Sequence, residues 1–466
     1  MLFRSEIHLL NGLLIFILTL AGFAQTSVPP IADPPNKVAS AIVKRALTDQ
    51  KGYRMLGELC ALGPRLSGSP QLTTAIRWAK EKMESLGLDR ITLQPVMVPH
   101  WVRGNVEAAT IVSPAQIAWR SLNICALGGS VGTPPDGITA EVLEVHNAEE
   151  LQALGEKARG KIIFFNRPFD PTQIYTFRGY GGAVGQRVHG ASQAAKVGAV
   201  AVLVRSITPA HDNVPHTGNM HYEKDVARIP AAAVGIRDAE FLSRALKQYP
   251  NLKITLQLSC QTLDDVPAYN IIGDLVGTEY PDEYIVVSGH FDCWDKGVGA
   301  HDDGGGCMQA LEVLDLFKRL QIKPKRTVRC IFYVNEENGL RGARAYARMA
   351  DSLGIHHIAA IESDRGCFTP RGFSVTGDSL VIQKIAGWLP YLQTATIDWV
   401  RKGGSGADVG QLKNVPALIG YVPDGQRYFD FHHSDNDVFE AVHPREFELG
   451  SAAIAILTYL LSEEGL

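Results

Sequence analysis

The sequence predicts an α/β protein, a doubly wound and mostly parallel sheet flanked by helices, into which a β-rich domain is inserted. From Ala268 onward continuous apolar runs alternate with helical patterns, as expected of parallel strands covered on both faces. From about Gly129 to Leu258 the texture changes to short apolar runs punctuated by glycine, which marks a separate module. The chain has 466 residues, 45% hydrophobic and 20% charged, an ordinary globular composition that supports large buried cores. Length alone suggests roughly three domains or subdomains.

The first segment is a leader. Arg4 and the α-amino group outweigh Glu6, Leu9 to Ala24 is almost wholly apolar, and Gly22 and Ala24 are small residues before a cut at Gln25. That is the pattern of a signal peptide over 1–24, with an apolar stretch shorter than the ~20 residues a membrane span needs. The mature chain is therefore expected to be exported and to cross no membrane. Helices are predicted over 38–58 and 71–87, joined by the turn-rich Gly63–Pro70 segment. These belong to a first part of the main domain, 38–128. The insertion follows over 129–262, with strands at 138–145, 161–165 and 199–204 and a helix from about Gly190. The second part, 263–466, holds apolar strands at 284–288, 327–334 and 356–363. A helix after the first strand turns Met308, Leu311, Leu314 and Leu320 inward, another spans 339–350, and an amphipathic helix runs from about Pro444 to Leu461.

Lys and Arg number 45 against 49 Asp and Glu, for a net charge of −4. This excludes a chain whose task is to neutralise nucleic-acid phosphate. Seven cysteines are present, an odd number without a CxxC pair, so no thiolate metal finger can be built and at least one thiol should stay free. No Asn-x-Ser/Thr site occurs.

In open α/β sheets, ligands bind outside the carboxyl ends of the strands. Polar residues follow each predicted strand there: His290 and Asp292, then Asp302 and Asp303, Glu336 and Glu337, Asp364, and far downstream His432 and His433. Taken singly, each has a bland reading as a turn, a solvated pair or a core histidine. Five such groups at successive strand ends make independent accidents improbable, because carboxylates ending buried strands need positive compensation. Imidazole and carboxylate donors together form a zinc-type set.

The series GHFDCWD (289–295), GAHDDGGG (299–306), NEENGLRGA (335–343), ESDRG (362–366) and FHHSDND (431–437) resembles the metal-binding set of the M28 family of zinc peptidases. The likeness is strongest to its carboxypeptidase Q-like branch, which carries an inserted protease-associated (PA) domain. The resemblance covers nearly all of the chain after the leader. It implies a zinc-peptidase/phosphorylase-like fold and two zinc ions per chain, with His290 and Asp364 on one, Glu337 and His433 on the other, and Asp302 bridging. Glu336 would be the general base toward a metal-bridged hydroxide. His433 rather than His432 fits the family pattern of a ligand His followed by Ser and, later, Asp437. A cis peptide between Asp302 and Asp303 and a PA-type lid over the site are implied as well.

Around that set, Asp292 is the expected acceptor for the second imidazole nitrogen of His290, and Asp437 for that of His433. Ser405, in the flexible KGGSGAD loop, and Trp294 are candidates for the substrate pocket, against plain turn and core readings. Arg344 and Arg178 are candidate readers of a substrate carboxylate. The implied activity is hydrolysis of dipeptides or short peptides at a terminus, with an aminopeptidase as the alternative. A single-zinc glutaminyl-cyclase-like cyclotransferase and a non-catalytic receptor-like relative are disfavoured by the complete ligand set. The partner is a peptide substrate, and a homodimer is compatible with the sequence.

Overall fold

The apolar runs of the C-terminal half pair with one another because each is too hydrophobic to leave either face in water. In the computed structural model, which describes residues 34–466, they form the centre of an eight-stranded sheet. Its order is Arg90–Val102, Gln261–Leu275, Arg326–Tyr333, Tyr280–His290, His356–Glu362, Ala417–Pro423, Pro370–Gly377, Trp399–Lys402. The four central strands run parallel. The leader over 1–24 lies outside the described residues, and among these no helix is long and apolar enough to cross a membrane.

The flanks are more mixed than the sequence predicts. Arg90–Val102 pairs antiparallel with Gln261–Leu275 from Arg90 opposite Asp274 to Val102 opposite Gln261. One strand leads into the inserted module and the other leads out of it, so the two legs necessarily run in opposite directions. At the other flank Pro370–Gly377 is antiparallel to Ala417–Pro423.

The inserted module is an α/β layer of its own. Its sheet runs Ser121–Leu122, Glu107–Ser113, Lys253–Leu258, Ile138–Val145, Ile162–Phe165, Ala201–Arg205, Ala231–Val234, Ile124–Ala126, with four parallel strands in the middle. Helices Gly185–Lys196 and Ile236–Gln248 flank it. The sheet takes its first strand at Glu107, ahead of the boundary at 129 drawn from texture. The reason is pairing: Glu107–Ser113 belongs to the module only through its partner Lys253–Leu258, about 150 residues away, which local texture does not show.

The predicted helix over 38–58 is two helices, Pro35–Asp49 and Lys51–Cys60, broken at Gln50 with φ 46°. The break lets Gly52 meet the inner helix, where an added Cβ would lie 2.0 Å from Glu312 Oε2. That inner helix, Gly305–Arg319, is buried continuously from Gly305 to Phe317 rather than on one face, because the final helix Pro444–Glu464 covers its outer side. Leu320 lies just past its end. All seven cysteines are buried and unpaired.

A buried polar chain ties the sheet to helix Arg341–Leu353. Arg329 makes two 2.8 Å bonds to Asp274 and donates to the Tyr346 hydroxyl at 3.2 Å, and that hydroxyl lies 2.9 Å from His357 Nε2. Buried beside the Arg329 guanidinium, the His357 ring is held in its neutral form. Burial, with Arg329 adding, pushes the His357 pKa down to about 4. Unfolded His357 takes up a proton below about pH 6.5, while the folded one does not. Its stabilising share is therefore whole above pH 6.5 and falls by ~1.4 kcal/mol per pH unit toward pH 4. Urea unfolding at pH 7.5 and 4.5 should show His357→Gln losing less stability on acidification than the wild type; an equal loss would remove His357 from the acid response.

Candidate metal centre

The predicted ligands are delivered by strand ends and by the loops that follow the strands. Tyr280–His290 finishes on His290, and the glycine-rich loop before Gly305–Arg319 presents Asp302. Past Arg326–Tyr333, Asn335 turns with φ 65° and sets out Glu336 and Glu337, while His356–Glu362 leads to Asp364. His433, with φ 61°, comes from the turn after Tyr428–Phe431. The Asp302–Asp303 peptide is cis.

Asp302 is the meeting point. His290 Nε2 lies 3.2 Å from its Oδ1 and 3.4 Å from Asp364 Oδ1. On the other side His433 Nε2 lies 3.3 Å from Asp302 Oδ2 and 2.9 Å from Glu337 Oε2. His432, stacked on His433 with ring centroids 3.5 Å apart, points Nε2 at Asp302 Oδ2 from 3.6 Å. Sequence reasoning set His432 aside; the doubled histidine in FHHSDND is the signal that both rings reach the site. Contact with Glu337 distinguishes His433. Donor atoms of His290, Asp302 and Asp364 converge within 4.8 Å of one another, as do those of Asp302, His432 and His433.

The electrostatics of this arrangement call for cations. Asp302 Oδ2 and Glu337 Oε1 are buried without a hydrogen-bond partner in the protein, a cost of a few kcal/mol each if nothing meets them. Burial pushes the carboxyls of Glu336 and Glu337 up; His290 opposes this at Glu336, where Asp364, Glu337 and Asp292 add to it. A nitrogen-and-oxygen donor set with unpaired buried carboxylate oxygens fits zinc.

The supporting bonds differ from those expected. His290 Nδ1 donates to the backbone carbonyl of Asp292 at 2.9 Å, not to its carboxylate. That still fixes the tautomer and leaves the Nε2 lone pair facing Asp302 and Asp364. The Asp292 carboxylate instead accepts from Glu336 N–H at 3.0 Å and from the Ser67 hydroxyl at 2.9 Å, tying the base-bearing loop to the His290 loop. Asp437 does not hold His433; its carboxylate accepts the N–H groups of His301 at 2.7 Å and Asp302 at 3.1 Å. Both corrections have one cause: spacing in the chain gives proximity, but side-chain direction is decided by which backbone groups lack partners. Arg65, in the Gly63–Pro70 segment read only as a turn, is fully buried and donates to the carbonyls of Phe291, Val298 and Gly299 at 2.7, 2.7 and 3.1 Å.

A cavity of about 430 Å³ opens over the cluster. His290, Asp302, Glu336, Glu337, Asp364 and both histidines line it from the main sheet, and Phe177, Tyr180, Arg187 and Asn219 from the inserted module. Ser405 and Trp294 do not line it. The Ser405 loop packs against the sheet instead, the Ser405 carbonyl against Gly420 and Val409 N–H donating to Glu362 at 2.7 Å. Trp294 stands behind His433 at 6.0 Å, packed edge-on to Trp101 and against Gly128. Arg344 does line the cavity, whereas Arg178 stacks on Tyr175 beside a neighbouring cavity. Arg187 and Asn219 were missed because nothing local marks a residue of one module as part of another module's site. Replacing Asp437 by Ala strands two buried N–H groups behind Asp302. Zinc affinity, read by competition with a chromogenic chelator, should fall about 10- to 100-fold; unchanged affinity would make Asp437 a bystander.

Comparison with known proteins agrees with this architecture. The profile of Peptidase family M28 matches residues 270–380, the stretch carrying His290 to Asp364. Carboxypeptidase Q of Homo sapiens is 36% identical over 432 residues, covering 91% of this chain and 89% of that protein. A peptidase M28 precursor from Shewanella amazonensis SB2B superposes with a TM-score of 0.87 at 32% identity, covering 93% of this chain and 97% of that one. A zinc aminopeptidase from Bacillus subtilis shares the fold, with a TM-score of 0.60 at 20% identity over 90% and 94% of the two chains. Identity at this level over nine-tenths of the sequence, with His290, Asp302, Glu336, Glu337 and Asp364 inside the stretch the profile matches, means that the chain belongs to peptidase family M28.

Proposed function

We propose that this M28 peptidase is an exported di-zinc exopeptidase that hydrolyses dipeptides or short peptides in the manner of a carboxypeptidase Q. The observation carrying the reading is Asp302, whose two carboxylate oxygens face two separate donor sets. His290 and Asp364 would hold one zinc and Glu337 and His433 the other, with Asp302 shared. Ions held there would polarise the scissile carbonyl and bring the pKa of a water toward neutrality.

Glu336 is the remaining carboxylate. It lines the cavity beside the donor sets, and Asp292 fixes its backbone, which suits a group that takes a proton from the attacking water and returns one to the departing amine. The inserted module supports exopeptidase action: its side chains close one wall of a cavity of about 430 Å³, room for a short peptide but not for a folded chain. The wall is pinned by aromatic packing, Tyr180 on Phe429 at 4.6 Å and Phe177 on Tyr428 at 5.4 Å, which supports the lid role of a PA-type domain. Export rests on the leader over 1–24.

Glu336→Gln should keep the fold and two zinc ions per chain by metal analysis, yet lose at least about two orders of magnitude in kcat on a dipeptide. Full activity in that variant would remove Glu336 as the base, and one zinc per chain in the wild type would favour a cyclotransferase-like site.

A further inference from the structure

A second cavity, of about 420 Å³, lies beside the catalytic one at the same edge of the main sheet. Ala417–Pro423 ends there, and Pro370–Gly377 and Trp399–Lys402, which run opposite to it, begin there. The facing wall is the segment 175–178 of the inserted module. Two bonds hold that segment to the main domain: Thr176 Oγ1 donates to the Gly425 carbonyl at 2.6 Å, and Gln426 Nε2 to the Ile174 carbonyl at 2.9 Å. Phe177 lines both cavities.

The lining is cationic. Arg178 from the module and Arg365, Arg371 and Arg401 from the main domain stand against a single lining carboxylate, Asp424, which accepts from Arg371 at 3.0 and 3.3 Å. Among the described residues Arg178, Arg365 and Arg401 pair with no carboxylate. Each is instead stacked on an aromatic ring, Arg401 3.8 Å from the Trp399 centroid, Arg178 5.2 Å from that of Tyr175 and Arg365 5.4 Å from that of Phe177. The most closely stacked ring is itself seated: a Cβ on Gly372 would lie 2.3 Å from the Trp399 indole, so the glycine lets the ring lie across the neighbouring strand. Unrestrained guanidiniums would spread apart into water. Stacking keeps these over one concavity, where their fields add and low-dielectric walls focus them.

We propose that this cavity binds a small organic dianion with a planar aromatic body, a phosphate ester or a dicarboxylate, which bridges the inserted module and the main sheet outside the metal centre. Charge and shape both select it. Several planar guanidinium forks meet oxyanions through parallel N–H bonds and favour two negative charges over one. The aromatic walls of Tyr175, Phe177 and Trp399, in a cavity large enough for more than a bare inorganic ion, suit a flat apolar body. The site uses none of the metal-centre donors, so it stands apart from the peptidase reading.

The test is calorimetry on the zinc-loaded protein with phenyl phosphate and phthalate, and with inorganic phosphate and phenol as controls. Wild type is compared with Arg178→Gln, Arg401→Gln and the double variant, one change on each side of the cleft. Zinc content, circular dichroism and dipeptide hydrolysis without added anion should be unchanged, since neither residue lines the catalytic cavity. At least one of the two dianions should bind the wild type more tightly than inorganic phosphate does, and phenol should not bind. Whichever of phenyl phosphate and phthalate binds more tightly tells a phosphate ester from a dicarboxylate. Each single variant should weaken that binding about 10-fold or more, and the double variant should abolish it. Oxyanions also have affinity for zinc, so binding that survives both substitutions and inhibits hydrolysis competitively belongs to the metal centre and overturns the proposal. It is overturned equally if neither dianion binds, if phenol or inorganic phosphate binds as tightly, or if only one of the two arginines matters.

Discussion

The structure is organised around the concentration of negative charge at the carboxyl ends of four parallel strands. Asp302, Glu337 and Asp364 face His290 and His433 in a buried pocket, and two of their oxygens have no partner in the protein. Such a cluster opposes folding unless cations or protons enter it. Neighbouring choices follow from that constraint. The carboxylates of Asp437 and Asp303 accept the backbone N–H groups of His290, His301, Asp302 and Gly306, and Arg65 gathers the carbonyls of Phe291, Val298 and Gly299. Together they hold donors that would otherwise repel one another.

The inserted module completes the site. It leaves the main sheet on one leg of an antiparallel pair and returns on the other, and Arg187 of its helix Gly185–Lys196 and Asn219 of the loop 216–219 line the cavity over the donor cluster. The Thr217 N–H donates to the His433 carbonyl and the His216 ring to the His432 carbonyl, which ties the two histidines to the wall. The aromatic contacts of Phe177 and Tyr180 with Tyr428 and Phe429 do the same by burial. The module therefore supplies one wall of the cavity, with Phe177, Tyr180, Arg187 and Asn219 facing the donor groups of the main sheet.

How much of this was legible in the sequence depended on range. The central strands and the metal-type residues after them were legible because hydrophobic period and strand-end position are local properties. The break at Gln50 was not, since it answers to Glu312 some 260 residues away. Nor were the partners of Asp292 and Asp437, which stand at the expected spacing but whose carboxylates accept backbone amides of other loops. Ser405 and Trp294 stand out by residue type in their local segments, and their packing leaves both outside the cavity lining.

The sequence by itself determined which chemistry is available: imidazoles and carboxylates at strand ends, no thiolate ligands, and a charge balance unsuited to nucleic acid. Tertiary structure alone decided which of these groups meet, that Asp302 stands between two sets, and that Arg187 from another module lies beside His433 with only Gly218 between them. The physical reason is that donor chemistry belongs to a residue, whereas burial and partnership belong to the space around it. Only the folded chain fixes that space.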